Sequence, residues 1–318
     1  MGKVSIIMPV KNAEKYLREA IQSIQNQTTD NWELLAINDH STDSSDQILQ
    51  EFSAHDSRIR LTQNTGVGII PALQQAFRLA TGKFVSRMDA DDIMPADRLE
   101  KMSALLEASG PKTVVTGLVQ YFSDQPVSAG YQKYQEWINQ VNRTGTQWQN
   151  IYRECVIASP NWIARRSEIQ EIKAFENLRY PEDYHLTLKW YQAGFKVETV
   201  PEVMLLWREH NMRTSRTSEH YAQKAFFELK ITHFIDMDLQ TNHLVVWGKN
   251  PKGKLTTDIL SRHGIPFLWH DLKSYRKIES LENPQIIVAV YPYPKERNQI
   301  EKYLLNLGLM PGKNWWYV

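Results

Sequence analysis

The sequence predicts an α/β fold, a largely parallel sheet of βαβ units followed by a second, small α/β domain. Three observations carry this reading. Short apolar runs of β type alternate with helical periodicity across residues 4–122. The alternation loosens between about 125 and 240, and it restarts at 243. Glycines such as Gly82, Gly110 and Gly194 punctuate the junctions.

Residues 4–10 (VSIIMPV) form the first expected strand. Asn12 is placed as the N-cap of a helix on which Leu17, Ala20, Ile21 and Ile24 share a face. Strands follow at 32–37 (WELLAI), 59–63 (IRLTQ) and 83–88 (KFVSRM), the last preceded by a helix that carries Leu73, Phe77 and Ala80 and stops at Gly82. A helix over Leu99, Met102, Leu105 and Leu106 closes at Gly110 and leads into a strand at 113–122. Beyond it lie an aromatic helix around Tyr131, Tyr134, Trp137 and Val141, the segment CVIASPNWIA (155–164), and a helix opened by Pro181 and closed by Gly194. KVETV and VMLLWRE read as two strands, and a helix then spans about 218–236.

The repeat that starts at 243 comprises HLVVWG, a helix over about 253–263, PFLWHD, QIIVAVY (285–291) and a helix near 295–307. The domains are therefore drawn as 1–240 and 241–318. GKNPKG (248–253) is like a dinucleotide-binding turn without the G-x-G-x-x-G spacing, and Asp271 stands about 20 residues on. A structural or assembly role is the competing account of this domain.

Lys plus Arg number 37 against 36 for Asp plus Glu, a net charge of +1, so no global field recruits nucleic acid. The single Cys155 excludes an internal disulfide and suits a reducing compartment. No run approaches the roughly 18 apolar residues of a spanning helix, and the N-terminal run is too short for a signal peptide. A cytoplasmic protein is expected. Its 10 Trp and 14 Tyr are compatible with peripheral association at the inner face of a membrane, and the composition is equally compatible with a homo-oligomer.

Asp89, Asp91 and Asp92 fall within four positions after an apolar strand, where their repulsion calls for a cation or for solvent. A Mn²⁺ or Mg²⁺ ion shared with a diphosphate would supply that cation, since such ions use one or two carboxylates and leave other positions to phosphate and water. A solvated loop with Asp97 as helix cap is the plain alternative. Asp39 follows the second strand, on the edge where parallel sheets bind ligands, and is placed to accept from a base or ribose. Glu182 and Asp183 sit in the first turn of a helix, where the macrodipole favours acids in any case. One of them reaching the crevice would be a general base. His210 and Arg213 offer donors for a diphosphate or acceptor, or ordinary surface polarity.

SIIMPVKNAEKYLREAIQSIQNQT (5–28), LLAINDHSTDSS (34–45), ATGKFVSRMDADDIMPADRLEKM (80–102) and PEDYHLTLKWYQAGFKVETVPEVMLLWREH (181–210) together resemble the family 2 glycosyltransferases, an inverting family with the GT-A nucleotide-sugar-binding fold. The resemblance covers roughly the first 215 to 240 residues, with about 125–240 on the acceptor side. It implies that Pro9 and Lys11 line the nucleotide, that Asp39 contacts the base, usually uracil, and that Asp89 and Asp91 form the D-x-D motif with Asp91 or Asp92 as metal ligand. Asp183 is implied as catalytic base, and a nucleotide-sugar donor and a glycan or glycolipid acceptor as partners, in polysaccharide or lipopolysaccharide assembly. Asn38, His40, Gln74 and Ser159 stand where the family often has Asp, Gly, Asn and His. The segment from 243 on lies outside the resemblance. An inactive nucleotide-sugar-binding subunit of a glycan-assembly complex is the alternative. A nucleotidyltransferase is disfavoured, because no early Gly-rich triphosphate loop bearing Lys or Arg is present.

Overall fold

A computed structural model describes residues 2–213, 216, 218–271, 274–290 and 294–318. The chain divides into two compact units, Met1–Gly145 with Ile157–Thr217, and Thr146–Val156 with Ser218–Val318. The segment 146–156 and the helix beyond 218 thus group with the C-terminal unit, whereas the sequence-drawn boundary stands at 240.

The larger unit is built on a seven-stranded sheet in the order β3-β2-β1-β4-β6-β5-β7. β1 (Val4–Val10), β2 (Trp32–Asn38), β3 (Ile59–Gln63) and β4 (Phe84–Arg87) run parallel and are linked by α1 (Leu17–Gln25), α2 (Ser45–His55) and α3 (Ile69–Leu79). Helices cover both faces of such a sheet, so its central strands are continuous apolar runs. Val4, Ile6, Ile7, Met8 and Val10 of β1 are all fully buried. β6 (Trp162–Arg165) lies antiparallel between β4 and β5 (Thr113–Phe122), which makes the sheet mainly rather than wholly parallel. β7 (Lys196–Arg208) pairs parallel with β5. α4 (Arg98–Ala108), α5 (Ala129–Thr144), α6 (Arg166–Glu171) and α7 (Glu182–Gln192) complete the unit.

Local differences from the sequence reading have physical causes. Asn12 does not cap α1. It adopts φ 49° and its side-chain oxygen accepts from the Thr42 amide at 2.8 Å, while the helix begins at Leu17 behind a turn at 14–16. KVETV and VMLLWRE are one strand, because β7 passes through Pro201 by shifting register against Gly117 and Leu118 of β5. Any side chain at 117 would strike Met204, 2.3 Å from the position of its Cβ, so the glycine is what permits that shift.

The smaller unit holds α8 (Gln223–Met237), β8 (Leu244–Trp247), α9 (Pro251–Arg262), β9 (Leu268–His270), β10 (Gln285–Val288), α10 (Pro294–Asn306) and β11 (Trp315–Tyr317). Its four strands are parallel in the order β11-β10-β8-β9. Tyr291, the last residue of the expected QIIVAVY strand, lies outside the described residues. Among the described residues no helix is long and apolar enough to cross a membrane.

Candidate functional site

The acidic turns gather at the carboxyl edge of the seven-stranded sheet. Asp39 follows β2 and the 89–92 turn follows β4, with β1 alone between those strands. Two inter-strand spacings put the two turns roughly 10 Å apart as they leave the sheet. The strand order also reverses here, β2 and β3 lying to one side of β1 and β4 to the other, and such a switch point opens a crevice.

Asp39 is almost fully buried. One carboxylate oxygen accepts from the Asn64 side-chain amide (2.6 Å) and the Gly68 amide (2.9 Å), and the other from Lys11 Nζ (3.3 Å). Burial alone would raise its pKa, but the Gly68, Asn64 and Lys11 donors outweigh it and hold Asp39 below the ordinary value. Gly68 presents its amide from φ 95° at the N-cap of α3, a conformation suited to glycine. Pro9 lies partly exposed in β1, next to the end of the strand. Asn38 donates to Asp46 (2.8 Å) and accepts from the Ser41 amide (3.1 Å), His40 donates to the Gly66 carbonyl (2.8 Å), and Gln74 donates to the Phe175 carbonyl (2.9 Å). Three of the four positions that depart from the family pattern thus brace the framework.

The acidic turn is organised by arginines. Arg87, the last residue of β4 and almost fully buried, bridges Asp89 (Nε to Oδ1, 2.8 Å) and Glu182 (Nη1 to Oε1, 3.0 Å). This brings the first turn of α7, which also carries Asp183, to the acidic turn 89–92. Arg208 donates its main-chain amide to Asp92 Oδ1 (2.8 Å) and its Nε to the Asp91 carbonyl (2.7 Å). Its guanidinium stacks between Tyr16 and Phe122, 4.6 and 4.3 Å from their ring centres, and pairs with Glu19. Two residues on, His210 Nε2 lies 2.8 Å from Asp91 Oδ2. Arg213 lies 5.0 Å over the Trp207 ring. Arg98, wholly buried at the start of α4, donates to the Arg87 carbonyl (3.3 Å), the Pro160 carbonyl (2.6 Å) and Ser86 Oγ (3.2 Å).

The electrostatics follow from that packing. Burial raises the pKa of Asp89 against the pull of Arg87, and Asp91 adds to the rise. Burial, then Asp91 and Asp89, push Asp92 well above the carboxylate range. Burial and then Glu182 lift Asp183 to about 7, with Arg87 opposing. Burial brings Arg98 down to about 9, opposed by Asp92 and Asp89. For Arg213 burial would lower the value, but Tyr121, Asp92 and Asp91 outweigh it and raise it.

Sequence reasoning found the acids, His210 and Arg213, and missed Arg87, Arg98 and Arg208. The available signal was a charge inside or beside an apolar run, FVSRM, PADRL and LLWRE, since an arginine rarely enters such a run without a partner.

Asp91 and His210 already touch and both remain partly exposed, whereas Asp92 is 1% exposed with Oδ1 engaged by the Arg208 amide. Asp92 Oδ2 is buried without a hydrogen-bond partner. Among the described residues no three His, Cys, Asp or Glu side chains form a metal group. One carboxylate and one imidazole fit an ion that completes its shell with phosphate oxygens and water.

Comparison with known proteins identifies a family and a fold. The sequence model described as "Glycosyl transferase family 2" matches residues 5–172. A protein of Haemophilus influenzae named as an uncharacterized glycosyltransferase is 30% identical over 249 residues, 73% of this chain and 74% of its own length. Among solved structures, S. aureus TarS 1–349 in complex with UDP-GlcNAc superposes with a TM-score of 0.58 at 20% identity, covering 82% of this chain and 72% of that one. A mannosyltransferase of Pyrobaculum calidifontis in complex with GDP-Man and Mn²⁺ gives 0.53 at 19%, covering 81% and 69%. At these identities the two structures speak for the fold, the mainly parallel GT-A sheet.

Proposed function

The chain belongs to glycosyl transferase family 2, and on that premise we propose that it moves a sugar from a nucleoside-diphosphate sugar, in first place a uridine one, to a hydroxyl of a glycan or glycolipid acceptor. The observation that supports this reading is Arg87, which ties Asp89 to Glu182, the neighbour of Asp183 in the first turn of α7.

Asp39 and Lys11 receive the base, with Pro9 beneath it, at the amino end of α3. Asp91 and His210, which already touch, would hold the Mn²⁺ or Mg²⁺ ion, with Asp92 bracing their loop through the Arg208 amide and Arg213 adding positive charge. When bound, the ion neutralises charge on the departing diphosphate. Asp183 accepts the proton of the attacking hydroxyl while the oxygen bonds to the anomeric carbon, the bond to the diphosphate breaks, and configuration inverts. A pKa of about 7 suits that task, being close to neutral pH. The structural neighbours carrying UDP-GlcNAc and GDP-Man support a nucleotide-sugar donor, and the neighbour carrying Mn²⁺ supports the ion.

A panel of nucleotide sugars with Mn²⁺, followed by release of nucleoside diphosphate, tests the reading. Release that depends on Asp183 upholds it. Binding of donor with no turnover of any donor by the wild type would instead indicate an inactive binding subunit.

A further inference from the structure

Tyr180 joins two parts of the larger unit that the catalytic reading treats separately, the loop around Asp39 and the turn that carries Asp183. α3 opens at the N-cap Gly68, and its first four residues have no amide partner inside the helix. The Gly68 amide donates to Asp39, the amides of Ile69 and Ile70 donate to the Tyr180 hydroxyl, and Pro71 carries no N–H. The hydroxyl is pressed against the start of the helix, since a Cβ placed on Gly68 would lie 3.1 Å from Tyr180 Oη.

Both sides of this contact are fastened elsewhere. The body of α3 meets the segment before Tyr180 through Gln74, which donates to the Phe175 carbonyl (2.9 Å), and through the rings of Phe77 and Phe175, whose centres are 4.9 Å apart. Around Tyr180 the Arg179 amide donates to His185 Nδ1 (2.8 Å), the His185 amide donates to the Pro181 carbonyl (3.0 Å), and Glu182 pairs with Arg87. A serine or aspartate at the N-cap would satisfy helix amides locally. α3 instead takes an acceptor from a distant stretch of chain, so satisfying its amides and placing the turn that carries Asp183 are one event. The charge at the hydroxyl agrees. Burial and then Glu182 raise its pKa, Asp39 adds to the rise and the Ile70 and Ile69 amides oppose it, so one neutral hydroxyl lies in the field of both carboxylates.

Taking Asp183 as the base of the transfer proposed above, we propose that Tyr180 is a positioning residue whose hydroxyl, held by the first turn of α3, fixes the span between the Asp39 loop and the Asp183 turn. It takes no part in bond making and acts through Asp183. An in-line displacement needs the acceptor oxygen about 3–3.5 Å from the anomeric carbon of a sugar whose nucleotide is anchored at Asp39, and an error of roughly 1 Å in that span costs on the order of 10²-fold in rate.

Tyr180→Phe keeps the ring and removes only the hydroxyl. With Mn²⁺ present, its Kd for uridine diphosphate by calorimetry should stay within about threefold of the wild type, because the donors to Asp39 are untouched, while kcat for release of nucleoside diphosphate falls roughly 10–100-fold. In an Asp183→Asn background the same change should cost no further turnover, since Tyr180 works through a group already lost. A hydroxyl that served the fold alone would lower kcat by the same factor in both backgrounds. Hydrogen exchange of the free protein needs no turnover. The hydrogen-bonded amides of Arg179, Tyr184 and His185 should exchange at least about tenfold faster in Tyr180→Phe, while those of β1 keep their wild-type protection. An unchanged kcat, a loss that multiplies that of Asp183→Asn, or unchanged exchange at 179–185 overturns the proposal. A wild type that turns over no donor overturns the reading of the reaction instead, and the exchange measurement still decides whether Tyr180 holds the turn.

Discussion

Glu33, at the amino end of β2, and Asp92, beyond the carboxyl end of β4, are carboxylates buried to a similar degree at opposite edges of one sheet. Glu33 accepts from Ser5 Oγ (2.6 Å), the Thr81 amide and hydroxyl (2.8 Å each) and Lys3 Nζ (3.0 Å). Burial would raise its pKa, but these donors outweigh it and hold Glu33 at about 2. Asp92 has a single amide on one oxygen and nothing on the other, and its pKa is driven up. The same side-chain chemistry is satisfied where it closes the bottom of the sheet and left wanting at the top. The difference marks which edge is fastened for stability and which is held ready for a partner.

The comparison breaks most visibly at the top edge. Asp183→Asn should leave the donor Kd unchanged by calorimetry while turnover falls about 10²–10⁴-fold. A loss of donor affinity with unchanged turnover would remove Asp183 from the role of base. Because the base must be ionised, wild-type kcat should rise with pH through about 7 and then level off. Next in size, Asp91→Ala should weaken Mn²⁺-dependent binding of nucleoside diphosphate by at least roughly 10–100-fold, and unaltered binding would detach the ion from this turn.

At the bottom edge the effect is on stability alone. Glu33→Gln should lose roughly 1–3 kcal/mol in denaturant unfolding at pH 7 and leave turnover intact. The sign follows from a lowered folded pKa. The contribution of Glu33 is complete above its ordinary value of 4.5 and disappears as pH falls toward 2, so wild type and variant should converge in acid. The smallest effect sharpens the contrast. For Asp92, raised rather than lowered, the folded state favours the protonated form, and the ionised group is a burden at neutral pH. Asp92→Asn should therefore unfold at the same or slightly higher denaturant, a change under about 1 kcal/mol, while donor turnover drops.

What could be read from the sequence follows the range of the interactions. β1, β2 and β5 are runs whose composition alone specifies a buried strand, and they stand where the text places them, as does β3, of which only Ile59 is buried. α2 was not anticipated, because Ile48, Leu49 and Phe52 make a narrow apolar face in a polar segment and only packing against the sheet turns it into a helix. β6 could not be ordered between β4 and β5, since strand neighbours are a tertiary property. The acids of the site were legible from their spacing. Their organisers were not, because Arg87 meets Glu182 across 95 residues and Arg208 meets Asp92 across 116, and no local pattern encodes such a pairing.

The threading of the chain limits how the protein can be shortened. Residues 146–156 leave the larger unit in mid-sequence to join the smaller one, where Ile151 and Tyr152 are wholly buried, Tyr152 bonds Asp238 at 2.6 Å and its ring meets Phe234 and Trp316. A truncation after 217 would strip this excursion of its lining and display two large apolar side chains to water, a surface that invites aggregation. The small domain is therefore stitched in rather than hung on the end, and a working minimal enzyme would need that stitch redesigned, not merely a new stop codon.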